Sequence, residues 1–289
     1  MQKYDNSTRK QELEKLNAGY QKIRTLTFVL IGLLVLALLT AIFKQMIPSI
    51  AALFVMLLFR FSIHKKARKE YQQALVDAAL TCSIGSKLDQ YELQNKGGTG
   101  ITREEIREAE LLPIREGETS FIGLYQGISG TLRGMPVSLN DTTLQQFQHA
   151  GQKGADVLCG VWMHFVLPQT TGKNYRVLTK DMIAADLEEE FFSSLPDLKK
   201  QDAAAAGLKE KVNLYGGGIT PADASAANEL FRKSSAQPAL SVRGNIVDLF
   251  LKGRVLAPNY PISLKPDEKA LNMDPLPEFR DVLALVKAL

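Results

Sequence analysis

Histidine, cysteine and tryptophan are scarce in this chain, with three, two and one copies in 289 residues. The cysteines, Cys82 and Cys159, form no CxxC pair, so no disulfide framework is expected, a single bridge staying open, and two thiols fit a reducing compartment. With His64, His149 and His164 they make no zinc-type ligand pairing, so neither a metal nor any other cofactor is expected. Cys159 and His164 invite a thiol–imidazole reading, but residues five apart in a strand point to opposite faces. Phosphate loops are lacking too. The glycines at 97 to 100 and 216 to 218 have no strand–loop–helix setting, and Gly172-Lys173-Asn174 departs from the Walker pattern, so all three read as turns. Glu188, Glu189 and Glu190 read as a solvated helix face.

What is present is apolar sequence, and it is concentrated. Thr25 to Phe43 (TLTFVLIGLLVLALLTAIF) carries no charge, and as a helix it would span about 28 Å. A lone apolar run in lipid must satisfy its own backbone, which dictates helix. After Lys44 and Gln45, a second run extends from Met46 to Ile63, with Pro48 in its first turn and Arg60 near its end, where the side chain can reach the interface. Residues 25 to 63 are therefore expected to form a transmembrane helical hairpin, 25–43 and 46–63. No cleavable signal peptide is read, because twenty-four residues of mixed charge come first.

Charge is divided along the chain. Residues 1 to 70 hold 12 Lys and Arg against 4 Asp and Glu, a balance of +8, and the remainder holds 23 against 27, a balance of −4. A basic excess beside apolar segments points to topology and lipid headgroups, not to nucleic acid. Lys22 and Arg24 precede the first run and Lys65, Lys66, Arg68 and Lys69 follow the second, whereas the connecting turn has Lys44. By the positive-inside rule both termini are expected on the cytoplasmic side of an inner membrane, with Lys65, Lys66, Arg68 and Lys69 as a candidate lipid-headgroup site. Helical stripes flank the hairpin: Leu13, Leu16, Tyr20 and Ile23 before it, and Tyr71, Leu75, Ala78 and Ala79 after it. They predict an amphipathic helix over 1–24 and a juxtamembrane helix over 64–95, forming either an antiparallel stalk or a dimer surface.

The remainder, 101–289, reads as a soluble α+β domain. Thr102 and Glu105 make a capping box for a helix closed by Pro113. Phe121 to Leu132 and Met135 to Leu144 read as a hairpin about Arg133-Gly134. Val157 to Leu167 is the strongest strand signal, and it is expected to turn at Thr171-Gly172-Lys173 into Tyr175–Leu178 as an antiparallel meander. Helix is expected between Asp181 and Ala206, interrupted by Pro196, then a strand at Val212–Leu214, a Thr220-capped helix to Lys233, a hairpin about Gly244-Asn245 and a C-terminal helix over Leu276 to Leu289.

The segments SFIGLYQGISGTLRGMPVSLNDTTL (120–144), GVWMHFVLPQTTGKNYRVLTKD (160–181) and VNLYGGGITPADASAANELF, followed by ALSVRGNIVDLFL, together with the hairpin, resemble the bacterial membrane family called domain of unknown function 3137. That resemblance implies two N-terminal transmembrane helices and a β-rich cytoplasmic domain, and no activity. The chain departs from the family at Trp162, Met163 and His164 and at the Gly216–Gly218 triplet. A membrane-anchored interaction or scaffold module is the functional expectation, its partners being the bilayer and either further copies or other membrane proteins. The alternative is a membrane-associated hydrolase or transferase with a site assembled from scattered polar residues.

Overall fold

A computed structural model describes residues 1–94, 100–113, 120–146, 157–209, 211–257 and 260–289. His149, Gly97, Gly98 and nearly all of the looser stretch 145–155 lie outside them. The described residues fall into two compact units: Asp5–Ser83 with Ala257–Asp274, and Met1–Tyr4, Ile84–Leu256 with Pro275–Leu289.

The first unit is helical. Its helix α1 (Asn6–Ile42) starts at a capping box between Asp5 and Thr8 and runs without interruption through the first apolar segment. The separate helix expected over 1–24 is thus corrected: Met1–Tyr4 are outside it, with Gln2 bridged to Tyr91 in the other unit, and no break divides the rest from the apolar run. Lys44, at φ 59°, makes the tight turn into α2 (Met46–Phe59). One π turn, Arg60–His64, then leads directly into α3 (Lys65–Ser83).

The π turn has a legible cause. Positions shielded along α1 recur at Ile23, Leu26, Leu30, Leu33, Ala37 and Thr40, alternating steps of three and four as antiparallel helices require. Along the returning helix they are Ser49, Ala52, Met56, Phe59, His64, Ala67, Tyr71, Leu75 and Ala78. The single step of five, Phe59 to His64, coincides with the π turn, which absorbs the extra residue and keeps one face inward. Outside the apolar runs, Leu16 and Ile23 pack with Ala67, Tyr71, Leu75 and Ala78, so the flanking stripes form an intramolecular stalk. Residues from Ala257–Asp274, including α7 (Glu268–Leu271), add Ala270 and Leu271 to that cluster, and Arg9 binds Glu268 at 2.5 Å.

The second unit is an α+β domain built on one nine-stranded antiparallel sheet. Its strands are β1 (Gln90–Gln94), β2 (Ser120–Leu132), β3 (Met135–Gln146), β4 (Val157–Val166), β5 (Asn174–Thr179), β6 (Lys200–Gln201), β7 (Val212–Gly217), β8 (Gln237–Arg243) and β9 (Ile246–Lys252), in the spatial order β1-β2-β3-β4-β9-β8-β5-β7-β6. Helices α4 (Arg103–Glu108), α5 (Ala185–Ser193), α6 (Pro221–Lys233) and α8 (Phe279–Ala288) accompany it. Ile106, Phe191 and Phe192 pack with Trp162, Leu178, Ala239 and Phe250 on one face of the sheet. On the other face Val161, Met163, Phe165, Val177, Leu240 and Leu249 are buried, which explains why β4, β8 and β9 read as continuous apolar runs.

Local chemistry sets the tight turns. Arg133 at φ 52° and Gly134 at φ 78° form the left-handed pair of a two-residue hairpin, and Gly244 at φ 60° opens the β8–β9 turn. Three expectations are corrected. The juxtamembrane helix does not reach residue 95; α3 ends at Ser83, and Gln90–Gln94 is an edge strand. The acidic, Ala-rich stretch is helical only over Ala185–Ser193, because Pro196 ends it and Lys200–Gln201 pairs with β7. The β4–β5 meander is absent, since the β8–β9 hairpin is inserted between those strands, and their connection crosses its turn through Thr171, whose hydroxyl donates to the Gly244 carbonyl at 2.6 Å.

One half-buried acid in this unit makes stability depend on pH. Burial pushes the Asp141 carboxyl up to about 6, against a backbone hydrogen bond from Leu256 at 2.8 Å that draws it down. The folded state therefore holds the proton more tightly than the unfolded one, and this contribution is full below about 4 and is lost as pH rises through about 6. Asp141→Asn, which keeps the acceptor and removes the charge, is expected to raise the melting temperature by several degrees at pH 8, about 1–2 kcal/mol, and to leave it nearly unchanged at pH 4. Equal shifts at both pH values in thermal melts would contradict this.

Candidate functional site

Two helical stretches, Ser7–Ile42 and Met46–Lys87, are long and apolar enough to cross a membrane, and their most apolar windows are 6% and 0% buried. Phe28, Ile31, Leu38, Ile47, Phe54 and Leu58 all stand exposed. So large an exposed apolar surface is costly in water and favourable in lipid. Small residues line the inner seam, where Ala37 and Ala52 are buried and the Ser49 hydroxyl donates to the Ala37 carbonyl at 2.9 Å. At the opposite end of the apolar runs, Thr27 Oγ1 lies 3.2 Å from His64 Nε2. Lys22 pairs with Glu70 at 2.9 Å, and the Arg24 guanidinium sits over the Phe28 ring. The candidate headgroup residues Lys65, Lys66, Arg68 and Lys69 are all exposed on the first turns of α3, while Ala67 between them faces α1.

Within the sheet unit, polar chemistry is gathered in one row. Directly paired positions run Glu92, Ser129, Ser138, His164, Asp248, Ser241, Arg176, Tyr215 and Lys200, one from each strand, and paired positions share a face. At its centre Asp248 Oδ1 accepts from Trp162 Nε1 at 3.0 Å and lies 2.8 Å from His164 Nδ1, and Oδ2 is buried without a partner. Glu105 of α4 lies 3.8 Å from His164 Nε2. Burial pulls the His164 imidazole down, and the Asp248 carboxylate, aided by Glu105 and opposed by Arg243, more than reverses this, so it ends above the usual histidine value.

Arg176 is fully buried in the same row. Its Nε donates to the Ala109 carbonyl at 2.8 Å, its Nη1 to Asn174 Oδ1 and the Tyr175 and Val242 carbonyls, and its Nη2 to Glu110 at 3.2 Å. The Ser241 hydroxyl also donates to the Ala109 carbonyl at 2.9 Å. Ala109 is the C-cap of α4, so the row satisfies an orphan helix carbonyl. At its other end, α4 is fixed by the Thr102–Glu105 capping box and by Asn140, which accepts from the Ile101 amide. The arrangement clamps a six-residue helix onto a sheet. Both histidine nitrogens face carboxylates, a geometry for charge pairing.

Cys159 and His164 do not meet. Cys159 is exposed beside Thr143 on β4, whereas His164 is buried on the opposite face. Among the described residues no group of three or more His, Cys, Asp or Glu could hold a metal. The turn reading of the 216–218 glycines is corrected: Gly216, at φ 80°, and Gly217 are paired with Tyr175 and Asn174 as the end of β7, and only Gly218, at φ 89°, lies beyond it, while Gly172, at φ 69°, lies in the β4–β5 connection. The glutamate run is corrected: Glu189 and Glu190 are exposed, but Glu188 is buried. Arg176, Asp248 and Trp162 carry no sequence signal of their role; only their shared row, set by long-range pairing, reveals it.

No protein-family model and no curated protein matches this chain. Among solved structures, the crystal structure of the mycobacterial trehalose monomycolate transport factor A, TtfA, aligns over 75% of this chain and 97% of its own, with 9% identity and a TM-score of 0.35.

Proposed function

We propose that the chain is a membrane-anchored interaction module of the domain of unknown function 3137 type. The apolar hairpin crosses the bacterial inner membrane and returns, and the sheet unit works on the cytoplasmic side. The observation that carries this reading is the exposed apolar surface of α1 and α2, flanked by Lys22, Arg24, Lys65, Lys66, Arg68 and Lys69 at the open end and by Lys44 alone at the turn. Tethering confines the sheet unit to a thin layer, which raises its effective concentration towards membrane proteins and further copies of itself. The four basic residues of α3 add attraction to anionic headgroups, about 1 kcal/mol each near the surface.

A reporter fused after Leu289 tests the topology. Alkaline phosphatase there is expected to stay inactive while green fluorescent protein is bright, and both should sediment with membranes after carbonate washing. An active phosphatase fusion, or release of the chain by carbonate, would overturn the reading. Crosslinking in intact cells then identifies what the module meets.

A further inference from the structure

At the β7–β6 end of the polar row, α5 and the segment Leu195–Lys200 stand over β7 and line a cleft of about 550 Å³. That volume lies in the range of small-molecule sites. One wall is apolar, made by Phe192, Leu195 and Leu198. The Tyr215 ring stacks on Phe192 with centroids 3.8 Å apart and planes 8° from parallel, so it is held rigidly.

Into this cleft is set a carboxylate. Glu188 is 3% exposed, and its Oε1 accepts two hydrogen bonds, from the Tyr215 hydroxyl and from Asn213 Nδ2, both at 2.7 Å. Burial, and then the bond to Glu188, push the Tyr215 hydroxyl far above the usual phenol range, so it serves as a donor. Oε2 takes no part in these two bonds and opens to the cleft. Securing the link between α5 and the sheet takes only Oε1, so Oε2 stays available on the cleft wall to a positive group that reaches it. The nearby cations do not: Lys199 and Lys200 are exposed on the rim, and the Lys200 ammonium sits 6.0 Å over the Tyr215 ring. Being exposed, they are screened, whereas the field inside the cleft comes from the buried group.

From this geometry we infer a binding site for a small organic ammonium with an apolar body, its N–H groups donating to Glu188 Oε2 and its body lying against Phe192, Leu195 and Leu198. An anionic group on the same molecule would meet Lys199 and Lys200 at the rim. The site goes beyond membrane anchoring and stands or falls separately from it.

Equilibrium dialysis tests it, using the full chain in nanodiscs and radiolabelled phenethylamine, with empty nanodiscs subtracted. The expected result is one saturable site per chain, displaced by unlabelled phenethylamine but not by equal concentrations of phenethyl alcohol. Glu188→Gln keeps the acceptor for Tyr215 and Asn213 but loses the charge, and should weaken binding at least tenfold with an unchanged circular dichroism spectrum. Leu195→Trp, which fills the cleft from its wall, should abolish binding while leaving the carboxylate in place. Absence of a saturable excess, equal displacement by the alcohol, or parent-like affinity in both variants would overturn the proposal.

Discussion

Arg176→Ala is expected to abolish the folded sheet unit: the protein should fail to accumulate, and any that is recovered should melt without a cooperative transition. The guanidinium is wholly buried and donates to Ala109, Asn174, Tyr175, Val242 and Glu110 at once. Removing one partner of a buried charged network costs about 3–5 kcal/mol, and the empty volume adds to that. Total stability of a domain is only about 5–15 kcal/mol, so the loss consumes most or all of it. Burial, opposed by Glu110, brings the arginine pKa down to about 10, so the group is charged throughout the neutral range and the defect should not be rescued between pH 6 and 8. Arg176→Lys, which keeps the charge but not the planar fork, should fall between the two. Limited proteolysis and thermal unfolding report the outcome, and an alanine variant melting within a few degrees of the parent would refute the clamp.

The second large effect belongs to the central pair. His164→Leu leaves Asp248 buried with only Trp162 donating to it, and is expected to cost about 3–4 kcal/mol. A pH signature separates this from simple loss of packing. The folded-state pKa of His164 is raised, so the stability it contributes is full below its ordinary value of 6.5 and is lost as pH rises through the higher folded value. Asp248, Glu105 and Arg243 are the charged groups that face it. The parent protein should therefore lose stability on going from pH 6 to pH 8, and His164→Leu should shrink that step to the remainder that Asp141 contributes. Changing both residues, His164→Leu with Asp248→Leu, should recover part of the loss, because no charge is then stranded, but not all, because Trp162 Nε1 loses its acceptor. A double variant less stable than the sum of the single ones would show that the pair is not what stabilises the row.

Local signals located several elements well. The capping box at Thr102–Glu105 and the Thr220 N-cap, with Pro221 at the first helical position, mark helix starts found in the structure, and the Arg133-Gly134 and Gly244-Asn245 turns lie where the dipeptides placed them. Each depends on atoms within four residues, so sequence proximity is enough. The Cys159–His164 separation follows from strand period alone. By contrast, β4 and β5 were expected to pair because they are neighbours in the chain, yet each has better partners in β9 and β8, an exchange that only competition among all strands resolves. Glu188 illustrates the same limit on a single side chain. It sits in a run of three glutamates, two of which are solvated, and its burial arises solely because α5 lies on β7.

The amino-acid sequence by itself determined two candidate membrane-spanning helices, their basic flanks, an α+β sheet domain and the chemistry of its tight turns, because hydropathy, charge and backbone preference act over short stretches of chain. Tertiary structure alone decided the strand order, the polar row from Glu92 to Lys200 and the clamp of Arg176 on α4. Those features join residues up to 80 or more positions apart, as His164 and Asp248 are, and no local force brings them together. Their positions follow from which apolar faces bury one another best.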